Sequence, residues 1–387
     1  MKKYLNSVMK IKQNINFDEI DSFYNLLNKN NSVDLIISRD LNHNKFGIQS
    51  ELILLFITWF KKSNGKLIFN TSSTDVNILE DFVNKHYNFS IIALAFNRGI
   101  FNLDGVKINE IILPFIKKKF EEIETNLYWG KGDHSYIICL QKSLNPYPKA
   151  FYNNEKLRSR IDFENLTKYL IYTSIKTKTL SNIDSNMVND NLPVIGKIIY
   201  ELIENTHNWS LTDYNNKDLV HGVRNLIISN HHGNKNELIA SANEDVYLSD
   251  YIVSMTDEGY TNFVEISVID SGSGLCSKYS KKPIEKYDSY EEVYEVIENC
   301  LTKSNTSDTS SLYNRGYGLH KIMELLSEKN GFLKIRTNGL KLFRNFKSNK
   351  FDNVDYSLKN YYENDDNYSF KNFLNQGTIV TFFIPLK

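Results

Sequence analysis

The segment Glu201-Leu202-Ile203-Glu204-Asn205 is the feature that most narrows what this chain can fold into. It lies where Ile195, Ile198, Ile199 and Leu202 recur at helical spacing, which predicts an amphipathic helix with one buried face. Glu201 and Asn205 are four residues apart, so they stack on one side of that helix, a side otherwise polar with Lys197 and Asn208. A carboxylate above a carboxamide suits a hydrated cation. The amide oxygen can bind Mg²⁺, and the carboxylate can take a proton from an attacking water. Exposed Glu and Asn are also common on helices, so the pair acquires meaning only from its company further along the chain.

Three later segments supply that meaning. In Phe263–Leu275, Val264, Ile266 and Val268 alternate with Glu265 and Ser267, which predicts a strand, and the strand ends in Asp270-Ser271-Gly272-Ser273-Gly274. A carboxylate at a strand end, followed by two glycines, can face a ligand that the backbone approaches closely. Arg315-Gly316-Tyr317-Gly318-Leu319 opens a helix with apolar positions Leu319, Ile322, Met323 and Leu326. Glycines at such an entry expose N–H groups toward a phosphate. Gln376-Gly377-Thr378 leads into the final strand, which runs on to Pro385. Taken singly, each also reads as an ordinary turn, helix entry or core strand.

The order of the four is specific, and in that order they resemble the GHKL ATPases: gyrase B, the ATP-binding heat-shock chaperones, histidine kinases and MutL. ELIENTHNW looks like the N-box, VIDSGSGL and RGYGLHKI like the first two glycine boxes, and QGTIVTFFIP like the third. The likeness covers roughly residues 160–387. It implies an α/β fold of the GHKL type, a two-layer sandwich with a mixed sheet and helices on one face, binding ATP and Mg²⁺. Carried over position by position, Asn205 would hold the metal and Glu201 would activate the attacking water or hydroxyl. Asp270 would read the adenine amino group, and Gly272 and Gly274 would let the nucleotide lie against the chain. Gly316, Gly318 and Leu319 would shape the loop over the phosphates, and Thr378 would support the adenine side. One departure stands out: Thr206 follows the Asn where the family often has a small residue, and the neutral Asn208 stands where it often has a charge.

Ahead of this part, residues 1–150 predict a smaller α/β domain. Val33–Ser38 and Lys66–Asn70 read as strands, Val76–His86 as a helix, and 90–95 as a further apolar run. Glu51–Lys62 reads as a helix apolar nearly all round, hence buried on several sides. The alternation is similar to that of STAS domains, which partner some anti-sigma kinases; a generic regulatory α/β domain fits equally. Residues 151–190 read as a helical connector with Phe163, Leu166, Leu170 and Ile171 at helical spacing, and Pro193 reads as a helix-start signal. Residues 191–387 form the ATP-binding domain, with a lid at 276–314 and an insertion or long hairpin at 341–376. Within the lid, Ser289 and Glu292 form a capping box.

Composition excludes other classes. Formal charge is balanced at +0 over 387 residues, so nothing draws the chain broadly to nucleic acid. Cys139, Cys276 and Cys300 fit neither a disulfide framework nor a zinc site. The first residues lack a signal-peptide run, and the apolar stretch from Leu52 is too short to span a bilayer, so a cytoplasmic protein is expected. None of the eight histidines is followed by an acid, which argues against a self-phosphorylating sensor kinase. The expected function is Mg²⁺-dependent ATP hydrolysis driving a lid and dimer switch, with an unidentified protein partner. A serine/threonine kinase of the anti-sigma type and a module that holds ATP as a structural ligand are the alternatives.

Overall fold

The structure, a computed structural model, describes residues 7–41, 45–131, 133–140, 147–174, 185–219, 221–242, 245–256, 261–302, 318–352, 354–363, 365 and 368–386. The chain is α/β and builds two sheets of opposite character. In the first unit, strand alternates with helix: β1 (Ser7–Lys10), α1 (Phe17–Lys29), β2 (Val33–Ile37), α2 (Ile48–Lys62), β3 (Leu67–Phe69), α3 (Val76–Val83), α4 (His86–Ala95), β4 (Ile100–Phe101) and α5 (Asn109–Asn126). Its sheet is parallel, in the order β1-β2-β3-β4. Asn16 caps α1 by accepting from the Glu19 N–H at 2.9 Å, and Asp75 caps α3 in the same way. The helix expected over Val76–His86 stops at Val83, and the apolar run 90–95 belongs to a separate helix. Periodicity alone does not tell a short buried helix from a buried strand.

The second unit contains β5 (Trp129–Lys131), β6 (His134–Leu140), the small hairpin β7 (Tyr152–Asn153) and β8 (Lys156–Leu157), α6 (Arg160–Ser174), α7 (Ser185–Trp209) and β9 (Val223–Gly233). It continues with α8 (Lys235–Ser241), α9 (Val246–Met255), β10 (Thr261–Asp270), α10 (Leu275–Ser280), α11 (Tyr290–Leu301), α12 (Gly318–Glu328), β11 (Phe332–Thr337), β12 (Leu340–Asn345), β13 (Lys359–Asn360) and β14 (Thr378–Pro385). The sheet order is β13-β12-β11-β14-β10-β9-β6-β5.

Three expectations change. The sheet is not mixed: among the described residues every pairing in it is antiparallel. By sheet membership the units divide after α5 rather than near residue 150, because β5 and β6 extend the second sheet. Pro193 lies inside α7 rather than at its start. A helix-interior proline is costly, and here Leu192, Ile195, Ile198, Ile199 and Leu202 bury the stripe that holds the helix in place.

A fourth correction bears on function. The second sheet is covered on both faces, not one. Leu226, Ile266, Val268, Val380 and Phe382 face one core with Ile195, Ile198 and Leu202 of α7. Alternate positions on the other face are polar yet buried, among them Glu265, Ser267, Lys334, Arg336 and Thr381. Alternation of this kind predicts a wet face, but here the first unit covers it and supplies partners. Arg336 forms ion pairs with Asp21 of α1 and Glu51 of α2, each at 2.7 Å. Glu265 accepts from the Gly47 N–H at 3.0 Å, and the Asn225 amide donates to Ser90 at 3.0 Å. This explains the all-round apolar α2, whose residues from Ile48 to Phe60 are all buried between the two sheets. No helix among the described residues is long and apolar enough to cross a membrane.

Burial pushes the Asp21 carboxyl up, but Arg336 and Lys341 outweigh it and hold it below the usual carboxylate range. Arg336→Met would remove the ion-pair partner of Asp21 and Glu51 and leave them only Lys341 nearby. The expected loss is about 3–5 kcal/mol in urea unfolding; a loss under about 1 kcal/mol would show that the ion pairs do not hold the units together.

Candidate functional site

On the α7 side of the second sheet lies a cavity bounded by α7, the end of β10, the first residues of α12 and the start of β14. Its volume is about 170 Å³, against the roughly 10–15 Å³ that a single water requires. It is sized for a ligand.

One end is built by Asp270. In register, Asp270 lies opposite Thr378 on β14 and Arg224 on β9. The chain turns sharply after it, and the Gly272 N–H donates to the Asp270 carboxylate at 2.7 Å. Burial pushes this carboxyl up to about 6, against the opposing pull of the Gly272 N–H, Lys61, Arg224 and the Thr378 N–H. Val268 and Val380 give this end apolar walls. Gly377 has φ +94°, and a Cβ there would sit 1.9 Å from the Asp270 carbonyl oxygen, so only glycine brings Thr378 this close. Gly274 has φ +84° and lies against Asn338.

The other end is built by α7 and α12. Glu201 and Asn205 face the cavity from one side of α7, as their spacing predicts. Gly318 opens α12 directly opposite: a Cβ on it would lie 3.0 Å from Asn205 Nδ2 and 3.4 Å from Glu201 Oε2. The second glycine segment therefore touches the first helical pair only because it lacks a side chain. Burial and the neighbouring Glu204 raise the Glu201 carboxyl above its ordinary range. Tyr200 donates to Glu204 at 2.7 Å, which fixes that second carboxylate.

Of the residues singled out in the sequence, Glu201, Asn205, Asp270 and Gly272 line this cavity, and so do Gly274, Gly318, Leu319 and Thr378. Gly316 and lid positions 303–314 lie outside the described residues. The described part of the lid packs as helix: Ser289 caps α11 by accepting from the Glu292 N–H at 3.3 Å, and Val293, Ile297 and Leu301 are buried. Cys300 from α11 lines the cavity wall.

Sequence reasoning passed over several contributors. Asn338, in the Asn338-Gly339 turn between β11 and β12, accepts from the Cys276 N–H at 2.9 Å and donates to the Ser273 carbonyl at 3.0 Å. It pins the glycine loop after Asp270. An Asn-Gly pair between strands signals a tight hairpin, but nothing in the sequence ties that hairpin to the loop. Lys278 ties the same region to residues 212–216, donating to the Asp213 carbonyl and the Asn216 side chain, each at 2.9 Å. His207 accepts from or donates to Tyr152 at 3.0 Å beside the site.

Among the described residues, no three His, Cys, Asp or Glu side chains gather as a metal cage. The donor set at Glu201 and Asn205 fits a cation of the Mg²⁺ kind, which takes few protein ligands and completes its shell with phosphate oxygens and water.

The raised Asp270 carboxyl has a signed consequence for stability. Between about pH 4 and 6 the folded chain binds this proton more tightly than the unfolded chain, so its contribution to stability falls as pH rises through that window. Wild type should gain stability relative to Asp270→Asn as the pH is lowered from 7 to 4 in parallel denaturant titrations; parallel pH curves would mean that this carboxyl titrates normally. No known family model matches the sequence, and no curated protein and no solved structure is significantly similar to it.

Proposed function

We propose that the cavity binds ATP with Mg²⁺ and that the chain hydrolyses it, in a GHKL-type nucleotide-binding fold that works as a conformational switch. The observation that supports this best is convergence. Four segments far apart in sequence, each of weak meaning alone, meet around one cavity with the chemistry divided between its ends. At one end a carboxylate sits among apolar walls, which suits a purine with an exocyclic amino group. At the other a carboxylate and a carboxamide face a glycine at a helix entry, which suits phosphates.

In this reading Asp270 accepts the hydrogen bond of the adenine amino group, with Val268 and Val380 against the ring. Asn205 offers its amide oxygen as the protein ligand of Mg²⁺, which when bound neutralises phosphate charge. Glu201 takes the proton of the attacking water, and its raised pKa makes it a better base than an exposed carboxylate. Gly318 keeps the wall clear, so that the phosphates and the Glu201–Asn205 pair share one space.

Glu201→Ala should keep most ATP affinity and lose turnover by roughly 10²-fold or more. Asn205→Ala should weaken Mg²⁺-dependent binding as well. Asp270→Asn should weaken ATP binding and narrow the preference over GTP, since an amide presents a different donor–acceptor pattern. Calorimetric binding and phosphate release read these separately. Wild-type turnover in Glu201→Ala would remove the proposed base. Labelled phosphate on a partner protein in place of free phosphate would make the chain a kinase, and tight binding without either would make ATP a structural ligand.

Gly318→Val places a branched side chain where a single Cβ already meets Asn205 at 3.0 Å. It should reduce affinity for Mg·ATP more than for adenosine. An equal loss for both ligands would place Gly318 away from the phosphates.

A further inference from the structure

The Asp270 end of the cavity is backed by the other unit. Thr58, Lys61 and Lys62 occupy the last turns of α2, and each reaches the loops that carry the site. Thr58 Oγ1 accepts from the Gln376 N–H at 3.0 Å, just ahead of Gly377 and Thr378. Lys62 Nζ donates to the Leu374 carbonyl at 3.1 Å. Lys61 Nζ donates to the Ser271 carbonyl, next to Asp270. The helix bearing them is buried from Ile48 to Phe60, and Lys61 and Lys62 at its end are half-buried.

Lys61 also carries charge into a place where charge matters. Burial lowers the Lys61 pKa to about 8 against the opposing pull of the Asp270 carboxylate, and the Lys61 charge in turn pulls Asp270 down. The groups facing Asp270 are Lys61 from α2, Arg224 from β9, the Gly272 N–H just after it and the Thr378 N–H from β14. Of the two cations, Arg224 is already engaged with the Tyr152 hydroxyl. Lys61 is the one that comes from outside the second unit.

We propose that Lys61 is a positioning residue for base recognition: it holds the Ser271 carbonyl and keeps its ammonium behind Asp270, so that the carboxylate meets the base as a fixed anionic acceptor. This rests on the reading of the cavity as an adenine-nucleotide site. It makes the first unit part of the specificity of that site, since the acceptor depends on a side chain the second unit does not contain. Linkage gives the direction of the effect. Burial already pushes Asp270 up to about 6, and removing a neighbouring cation pushes it further toward neutrality.

The test is ATP affinity as a function of pH for the full chain, wild type against Lys61→Gln, Lys61→Met and Lys61→Arg. The ratio of variant to wild-type affinity at each pH cancels the titration of the nucleotide itself. Gln can still donate to Ser271 but carries no charge, Met does neither, and Arg keeps both. For an upward shift of about one unit in Asp270, the Gln and Met variants should bind within about twofold of wild type at pH 9 and weaken to about tenfold below it near pH 5.5. Lys61→Arg should follow wild type throughout. A ratio that is flat with pH, whether at unity or at a constant loss, overturns the inference, because a purely structural contact has no reason to follow the Asp270 titration. Should Met unfold the chain, Gln against Arg carries the same comparison. A wild type that binds no adenine nucleotide at any pH overturns the reading of the cavity and the inference with it; a wild type that binds, with a flat ratio, overturns the inference alone.

Discussion

Arg336 lies buried between Asp21 of α1 and Glu51 of α2, a charge of the second unit whose carboxylates both come from the first. A buried ion pair adds little net stability over a well-packed apolar contact, but a buried charge without its partner is severely penalised. Its effect is therefore on geometry. Arg336 is neutralised where α1 and α2 lie across β11, and two neighbouring polar positions repeat the condition: Glu265 accepts from the Gly47 N–H and the Asn225 amide donates to Ser90. Lys334 and Glu265 also find Asp245 and His231 within the second unit itself. An apolar face would tolerate sliding. A face studded with buried charges accepts one register, and each wrong register leaves several groups unpaired.

That register sets what reaches the cavity. With Glu51 on Arg336 near one end of α2, the other end of the same helix falls at the loops around Asp270 and Thr378. Thr58, Lys61 and Lys62 then meet backbone groups of residues 271, 374 and 376. Close packing of α2 from Ile48 to Phe60 ties the placement of its two ends together. The first unit thus sits on the second as a fixed backing to the candidate site, and any partner that shifts α2 would also shift the groups around Asp270.

How much was legible in the sequence depends on the range of the interactions involved. Glu201 and Asn205 were placed correctly on one helix side because that relation needs only the helical repeat. The alternation in β10 was legible for the same reason, as were the Ser289 cap and the all-round burial of α2. The pairing pattern was not, because antiparallel order is settled by distant strands that share no local signal. The second covering layer was hidden by its own chemistry. Glu265, Ser267 and Arg336 look like solvent residues when read along the chain, and only the facing Asp21, Glu51 and Gly47 turn them into an interior. Lys61 was hidden in a further way, since it reads as a helix-terminal cation and its hydrogen-bond partner, the Ser271 carbonyl, is 210 positions away. The resemblance directed attention to four segments whose described residues line one cavity, while residues that hold those segments in place, Asn338 and Lys278 among them, belong to no motif.

The two ends of the cavity are also joined behind its wall, through side chains that never touch the ligand space directly. Arg224 stands opposite Asp270 in the ladder and donates to the Tyr152 hydroxyl oxygen. That leaves the phenol hydrogen for His207 Nδ1, 3.0 Å away. Burial and Arg224 together lower the His207 pKa, so the ring stays neutral and can accept. His207 sits on α7 two residues beyond Asn205. The hydrogen-bonded links Arg224, Tyr152 and His207 therefore tie β9, beside the end of β10 that carries Asp270, to α7. Arg224 stands across the ladder from Asp270, whose carboxyl feels its charge, and its guanidinium donates to the Tyr152 phenol. The departure at Thr206 fits the same design. Its hydroxyl turns back to the Ile203 carbonyl at 2.8 Å and is buried, which ties residue 206, between Asn205 and His207, to the preceding turn of α7.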